Sequence, residues 1–513
     1  MAKTPRGLEG RGVRRSRKME RVFGKRKSVV KAAAFALALI TAFGFIGCGG
    51  YGEAYAPSES SAAGPTEALT EAPTAAPTEE PVIIPADAEE AEEAFEAYPL
   101  DFEPVSRPKA EPQAPVPAPR YVMGEGAYYA PDAPNDNKAV IMLAGDLMCQ
   151  TRQQEAGRTD SGWSFEGGFD YVRDIFAEAD LVVGNLEATL SESAPYMSEC
   201  REVEGMPHLN APACFLEAVR NAGFDMVVMS NNHNCDAGVR GIYETLDRVD
   251  EYGLMHTGLF RSAEEERVCV IDVDGVRVCV LSYSTYFNHK EKHLTSGGIS
   301  SMLNRYSRKK AQRDIAAARR AGAEFVFVYI HWGKEYSNEP TERQLRRAKE
   351  LADAGADFIV GSHPHALQPY AEVISADGRS VPVMFSMGNF ISHQNRTVSK
   401  DTLILRVALE RNGEGEAVIS ECGYIPCRVF KTFRGRDYAV VPVVKPYNKG
   451  RKSKYFAPAY ERITGIIGDG IDILGEPGTQ GVPGAPVRRR AESVGPASGA
   501  ALRRLTPLHA RPL

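Results

Sequence analysis

Six apolar runs in this 513-residue chain end abruptly in residues that can bind a metal ion or move a proton. Ala139–Ala144 leads into Gly145-Asp146-Leu147-Met148, and Leu181–Val183 into Gly184-Asn185-Leu186-Glu187. Met226–Met229 leads into Ser230-Asn231-Asn232-His233, with Asp236 and Gly238 just after. Phe325–Ile330 leads into His331-Trp332-Gly333-Lys334-Glu335-Tyr336. Phe358–Val360 leads into Gly361-Ser362-His363-Pro364-His365, and Val383–Phe385 into Ser386-Met387-Gly388-Asn389-Phe390. Carboxylates, imidazoles and Asn amide oxygens together suit divalent ions such as Mn, Fe or Zn. Two such ions about 3.5–4 Å apart can generate a nucleophilic hydroxide and clamp a transferring phosphoryl group.

Any one of these clusters is weak on its own. Turns use Gly-Asp constantly, and an isolated Asn-His pair says little. The weight rests on the joint pattern, in which His233, His331, His363 and His365, four of the ten histidines, fall at the ends of apolar runs. The remaining six, His208, His256, His289, His293, His393 and His509, follow no such grammar and are read as outside the site. Tyr283 and Asn288, after the run Val276–Ser282, are candidates to line a cleft, and Asn389 is a candidate substrate contact. Glu335 either supports His331 from behind or caps the next turn. Trp332 reads as packing.

Clusters spread over this much sequence act together only if the fold gathers them. Short apolar runs alternate with amphipathic helical stretches at Tyr171–Ala177, Cys214–Ala222, Val239–Tyr252, Arg305–Ala321 and Glu342–Ala354. That alternation predicts an α/β fold with a largely parallel sheet. Ligands then bind beyond the carboxyl ends of the strands, where all six clusters sit. Asp274-Gly275 and Asp377-Gly378 read as hairpin turns, adding antiparallel strands to the parallel core.

The globular pattern runs from about Lys138 to about Pro446, giving an expected domain of 136–446. A basic stretch from Arg11 to Lys27 precedes the almost purely apolar Val29–Ile46 and then Gly47-Cys48-Gly49. This is the layout of a secretory signal. It ends either as a lipoprotein cleavage site, with Cys48 lipidated and residues 1–48 as signal, or as an uncleaved signal anchor. Both place the body outside the membrane and tethered to it. Residues 49–135 read as a linker rich in Ala, Pro, Glu and Thr; fourteen acidic residues and no Lys or Arg lie between Gly49 and Ser106. Residues 447–513 read as a low-complexity tail. The net charge of −6 gives no reason to expect nucleic-acid binding. Among the cysteines, Cys269 and Cys279 flank a two-residue turn in a register that turns them to opposite faces, and Cys422 with Cys427 is the most plausible disulfide.

In order, spacing and identity, these clusters resemble the CapA family of capsule or poly-γ-glutamate synthesis proteins. The resemblance covers about 300 residues and includes Gln368-Pro369 after the His363-Pro364-His365 block. That family is similar in turn to calcineurin-like metallophosphoesterases, which implies a four-layer αββα sandwich and a site for one or two divalent ions. Carried over, Asp146 resembles the first metal ligand, and Asn185 with Glu187 occupies the block that supplies a bridging Asp. Asn232, His331, His363 and His365 resemble further ligands. His233, with Asp236 beside it, resembles the histidine that protonates the leaving group. The pattern departs at Met148, where a His is usual, and at Asn185, where an Asp is usual.

The resemblance implies a tethered metal-dependent hydrolase or transferase acting on an envelope polymer or phosphoester. The alternative is a non-catalytic module that binds an anionic polymer such as poly-γ-glutamate within a membrane synthase or export complex.

Overall fold

The computed structural model describes residues 118–160, 162–431 and 438–475, with isolated positions 105 and 116. The basic and apolar leader, Cys48 and most of the acidic linker lie outside the described residues. In chain order the main elements begin with β1 (Val122–Met123), β2 (Tyr128–Tyr129), β3 (Lys138–Leu147), α1 (Thr151–Gly157), α2 (Arg173–Phe176) and β4 (Leu181–Leu186). There follow α3 (Cys214–Asn221), β5 (Met226–Val228), α4 (Gly238–Glu251), β6 (Met255–Thr257), β7 (Cys269–Val273) and β8 (Val276–Ser284). Next come α5 (Ser296–Met302), α6 (Arg308–Arg320), β9 (Phe325–His331), α7 (Glu342–Ala354), β10 (Phe358–Ser362) and β11 (Leu367–Ile374). The chain continues through β12 (Ser380–Met387), β13 (Asn389–Ile391), β14 (Asp401–Arg411), β15 (Ala417–Lys431), β16 (Tyr438–Pro442), α8 (Phe456–Ile467) and β17 (Asp472–Ile473).

Two mixed sheets carry the fold. One runs β6-β5-β4-β3-β14-β15-β16, with β13 beside the end of β3 and β17 beside β15. Its β3 to β6 half is parallel and its β14 to β16 half antiparallel. The other runs β1-β2-β7-β8-β9-β10-β12-β11, parallel from β8 through β12, with β7 antiparallel to β8 but parallel to β2, and β11 antiparallel to β12.

Strand alternation gives each sheet two apolar faces. Ile141, Leu143, Leu181 and Val183 of the first sheet pack against Val278, Val280, Phe327 and Val360 of the second, forming the inner layer. The outer face of the first sheet, with Met142 and Val182, is covered by Phe215 and Val219 of α3 and Ile242 and Leu246 of α4. The outer face of the second, with Val326 and Val328, is covered by Ile315 of α6 and Leu351 of α7. This is the expected α/β fold, a four-layer αββα sandwich. The helices follow the amphipathic stretches closely, and α7 opens with a capping box between Thr341 and Gln344. Asp274 and Gly275, with φ of 56° and 87°, form the two-residue turn between β7 and β8.

Three expectations need correction. Packing begins before residue 136: Tyr121 is buried in the inner layer and β2 pairs with β7. It also continues past 446, because Ala459, Ile463 and Ile467 of α8 are buried against the inner layer. That short amphipathic helix is easily overlooked beside its Gly- and Arg-rich surroundings. Cys422 and Cys427 are free thiols. They lie five residues apart on β15, an odd spacing that turns them to opposite faces, with Cys427 in one core layer and Cys422 against another.

Candidate metal centre

The carboxyl ends of the parallel strands of both sheets meet at one place. Registers align these ends: Asp146 lies opposite Asn185, and Ser284, His331 and Ser362 are neighbours across β8, β9 and β10. Asp146, Asn185, Glu187 and Asn232 arrive from the first sheet, and His331, His363 and His365 from the second. All seven are buried. Close strand approach at two glycines makes this possible. A Cβ at Gly145 would stand 2.0 Å from the Gly388 carbonyl oxygen, and one at Gly361 would stand 1.9 Å from that of Phe385.

Glu187 is at the centre and is fully buried. Neither of its carboxylate oxygens has a hydrogen-bond partner among the described residues, and the amide oxygen of Asn185 has none either. Around Glu187 Oε1 stand His331 Nε2 at 3.7 Å, His365 Nε2 at 3.7 Å and His233 Nε2 at 3.9 Å. Two sets, Glu187 with His363 and His365, and Asp146 with Glu187 and His331, have ligand atoms all within 4.8 Å of one another. Ligands held about 2.0–2.2 Å from a common ion lie roughly 3–4 Å apart. A buried carboxylate without a partner is costly. The donor set and its spacing therefore fit a divalent cation.

The other contacts orient these groups. Asn185 Nδ2 donates to Asp146 Oδ1 at 2.8 Å, and His365 Nδ1 lies 3.2 Å from Asp146 Oδ2 and 2.8 Å from Asn389 Oδ1. His331 Nε2 lies 2.7 Å from Asn232 Oδ1, and its Nδ1 lies 2.9 Å from Ser362 Oγ. Asn232 Nδ2 donates to Asn288 Oδ1 at 3.1 Å. His363 and His365, with φ of 94° and 51°, are non-glycine residues in the left-handed region, a strain that often accompanies functional sites.

Electrostatics separate the groups by role. Burial, then the Asp146 charge and the Glu335 charge, pushes the Glu187 carboxyl well above the usual carboxylate range. Burial, then the neighbouring imidazoles, pushes His331 and His363 well below the ordinary histidine value, keeping them neutral as ligands must be. Burial works against a charge on His365 too, but its contact with Asp146 outweighs that and raises it. For Asp236, burial alone would raise the carboxyl; His233 and Lys290 outweigh it and hold the group well below the usual range. Asp236 Oδ2 is 2.8 Å from His233 Nδ1, so the pair is in place for an oriented imidazole.

The remaining candidates divide. Asn288 and Asn389 are buried and sit behind Asn232 and His365 rather than facing open space. Glu335 is exposed, and its charge is felt by Glu187 and His365. Tyr283 does not line the site, correcting the expectation. On β8 it follows Cys279 and Leu281 to the outer face, where its hydroxyl donates to Asp314 of α6 at 3.1 Å. Two further residues reach the site without one of the six strand-end clusters to mark them: Tyr286, whose hydroxyl meets the His363 ring, and Lys290, whose Nζ donates to Asp236 Oδ1 at 2.9 Å. His208, expected outside the site, is fully buried and close enough to Asp236 to feel its charge. The polar spacing Tyr286, Asn288, Lys290 directly after a strand was the available signal for the first two.

Comparison with known proteins bears on the whole arrangement. Residues 140–394 match the family described as bacterial capsule synthesis protein PGA_cap. The chain is 29% identical over 253 residues to the PGA biosynthesis protein CapA of Bacillus subtilis, covering 48% of this chain and 62% of that one. It is 29% identical over 288 residues to the capsule biosynthesis protein CapA of Bacillus anthracis, covering 54% of this chain and 66% of that one. The chain thus spans somewhat under two thirds of each relative's length. Among solved structures, the Haemophilus influenzae NAD nucleotidase overlaps 64% of this chain and 63% of its own at 14% identity and a TM-score of 0.37. The calcineurin-like phosphoesterase YfkN of Bacillus subtilis overlaps 64% of this chain and 96% of its own at 11% identity and a TM-score of 0.33. The layering of sheets and helices shows the fold without help from these slight overlaps. Residues 140–394 thus match the bacterial capsule synthesis protein family and are similar to the two CapA relatives.

Proposed function

We propose that this domain is a metal-dependent hydrolase or transferase of the phosphoesterase type, acting on an envelope polymer or phosphoester during capsule or poly-γ-glutamate assembly. We further propose that it works outside the cell, tethered to the membrane by its N-terminal segment. One observation carries the catalytic reading: a fully buried Glu187 carboxylate without hydrogen bonds, ringed by imidazole nitrogens.

Asp146, Asn185, Glu187, Asn232, His331, His363 and His365 would hold one or two ions of the Mn, Fe or Zn class. A bound ion would polarise a phosphoryl or carbonyl oxygen. The chain's own contribution is proton handling. Asp236 accepts a hydrogen bond from Nδ1–H of His233, which leaves Nε2 turned toward Glu187 and able to carry a proton to a leaving group. The depth of the cluster excludes bulk water, which strengthens each of these interactions.

Asn185 favours a second reading. Where the related pattern has a bridging carboxylate, it supplies a neutral amide whose nitrogen is bound to Asp146. A site weakened in this way would suit a non-catalytic module that binds an anionic polymer.

The test is metal analysis of the purified full chain, with turnover measured on bis(p-nitrophenyl) phosphate and on γ-glutamyl polymer, for wild type and His233→Ala. The catalytic reading expects bound metal in both and turnover lowered by about 10²–10⁴-fold in the variant. Polymer binding that survives His233→Ala, with no turnover in either form, would establish the second reading. A folded, metal-free chain with neither activity sinks both.

A further inference from the structure

Asp236 is held from two sides. His233 Nδ1 lies 2.8 Å from Oδ2, and Lys290 Nζ lies 2.9 Å from Oδ1. The Leu209 backbone N–H adds a third bond to Oδ2 at 2.7 Å. Lys290 is 1% exposed, and no other lysine among the described residues is buried. A lysine seldom leaves water fully, and this one does so to meet the partner of the candidate proton donor.

The backbone that delivers it is built for the purpose. In the loop that follows β8, Asn288 and His289 take φ of 54° and 61°, two consecutive non-glycine residues in the left-handed region. Such conformations persist only where the surroundings over-determine them. Here Phe287 is fully buried in the helix-covered core layer and anchors the turn. The result is that one short segment touches three site residues from two other strand ends: Tyr286 meets His363 after β10, while Asn288 meets Asn232 and Lys290 meets Asp236, both after β5.

We propose that Lys290 is a positioning residue for His233: through Asp236 it holds the imidazole in the orientation and tautomer that turn Nε2 toward the ligand cluster. A carboxylate can only accept, so the His233 nitrogen facing it must be the one bearing hydrogen. The ammonium fixes that carboxylate as an anion and pins the oxygen not used by His233. Lys290 itself touches none of the candidate ligands. This rests on the proposed role of His233 as proton donor, and the readouts below separate the two.

The experiment uses the full chain loaded with zinc, with histidines labelled with 15N, and compares wild type, Lys290→Met, Lys290→Gln and Lys290→Arg. Lys290→Gln keeps an N–H donor without the charge, and it stands in if Lys290→Met does not fold. The His233 imidazole signals, assigned with His233→Gln, report the tautomer. Zinc content and the kcat and KM for bis(p-nitrophenyl) phosphate are measured alongside. The expected result for the neutral variants is unchanged zinc content, His233 displaced from its Nδ1-protonated tautomer, and kcat lowered about 10–100-fold with KM little changed. Lys290→Arg should keep the wild-type His233 pattern. If the neutral variants leave the His233 signals unchanged, or lose zinc in step with kcat, Lys290 is a structural counter-ion and the proposal is overturned. A wild type without turnover whose His233 signals still move in Lys290→Met would overturn the hydrolase reading and uphold the role of Lys290.

Discussion

At the scale of single residues, Glu187 gives the sharpest consequence. Its carboxyl is held above the ordinary value by burial and by Asp146, so the folded metal-free chain keeps a proton that the unfolded chain releases. The sign follows from linkage. The contribution of Glu187 is fully present below the ordinary carboxylate pKa of about 4.3 and is lost as pH rises through the raised value. His331 and His363, shifted downward, act the other way: their contribution is present above the ordinary histidine pKa of about 6.5 and is lost as pH falls below it. Comparison with Glu187→Gln isolates the first effect. In the presence of chelator, the wild-type thermal midpoint should fall relative to that of Glu187→Gln as pH is raised from about 4.5 toward 8. Parallel midpoints across that range would show that Glu187 ionises freely in the fold. Added zinc should reverse the trend in wild type alone, because ligand deprotonation then favours binding.

Individual elements explain why the strand ends can meet at all. Gly361 sits where β10 runs against β12, and a methyl group there would overlap the Phe385 carbonyl and crowd Trp332 Nε1, 2.6 Å away. Gly361→Ala should therefore cost about 3 kcal/mol, the upper part of the overpacking range, and displace the loop carrying His363 and His365. Urea unfolding and zinc uptake check both effects; a fully stable variant that takes up zinc normally would show that β10 can shift without penalty. The same elements show what was legible beforehand. The apolar runs announce β3, β4, β5, β9, β10 and β12, and a parallel arrangement then brings Asp146, Asn185, Glu187, Asn232, His331, His363 and His365 together. Tyr283 stands at the end of its run, but alternation along β8 sends odd-numbered side chains to the helix layer and so takes it away from the site. Tyr286 and Lys290 depend on a left-handed turn at Asn288 and His289, which neither residue type demands. Their partners, His363 and Asp236, lie too far away in sequence to suggest the contact.

For the molecule as a whole, the boundary of the fold is the point at issue. α8 lies beyond the last obvious strand, yet Ile463 and Ile467 are buried and Arg462 pairs with Asp401 at 2.8 Å. Each isoleucine contributes about 1.5–3 kcal/mol by burial. A chain ending at residue 446 should lose on the order of 5 kcal/mol, a large part of the roughly 5–15 kcal/mol that stabilises a domain. Its urea midpoint should drop accordingly, and an unchanged midpoint would place α8 outside the cooperative unit.

The site draws its side chains from both sheets, with Asp146 and Glu187 on one side and His331, His363 and His365 on the other. An ion at that seam would act as a clasp. Both groups of converging ligands draw on both sheets, so full binding would be withheld until the two halves have closed on each other. Occupancy would then report that the chain had finished folding, as well as equipping it for chemistry.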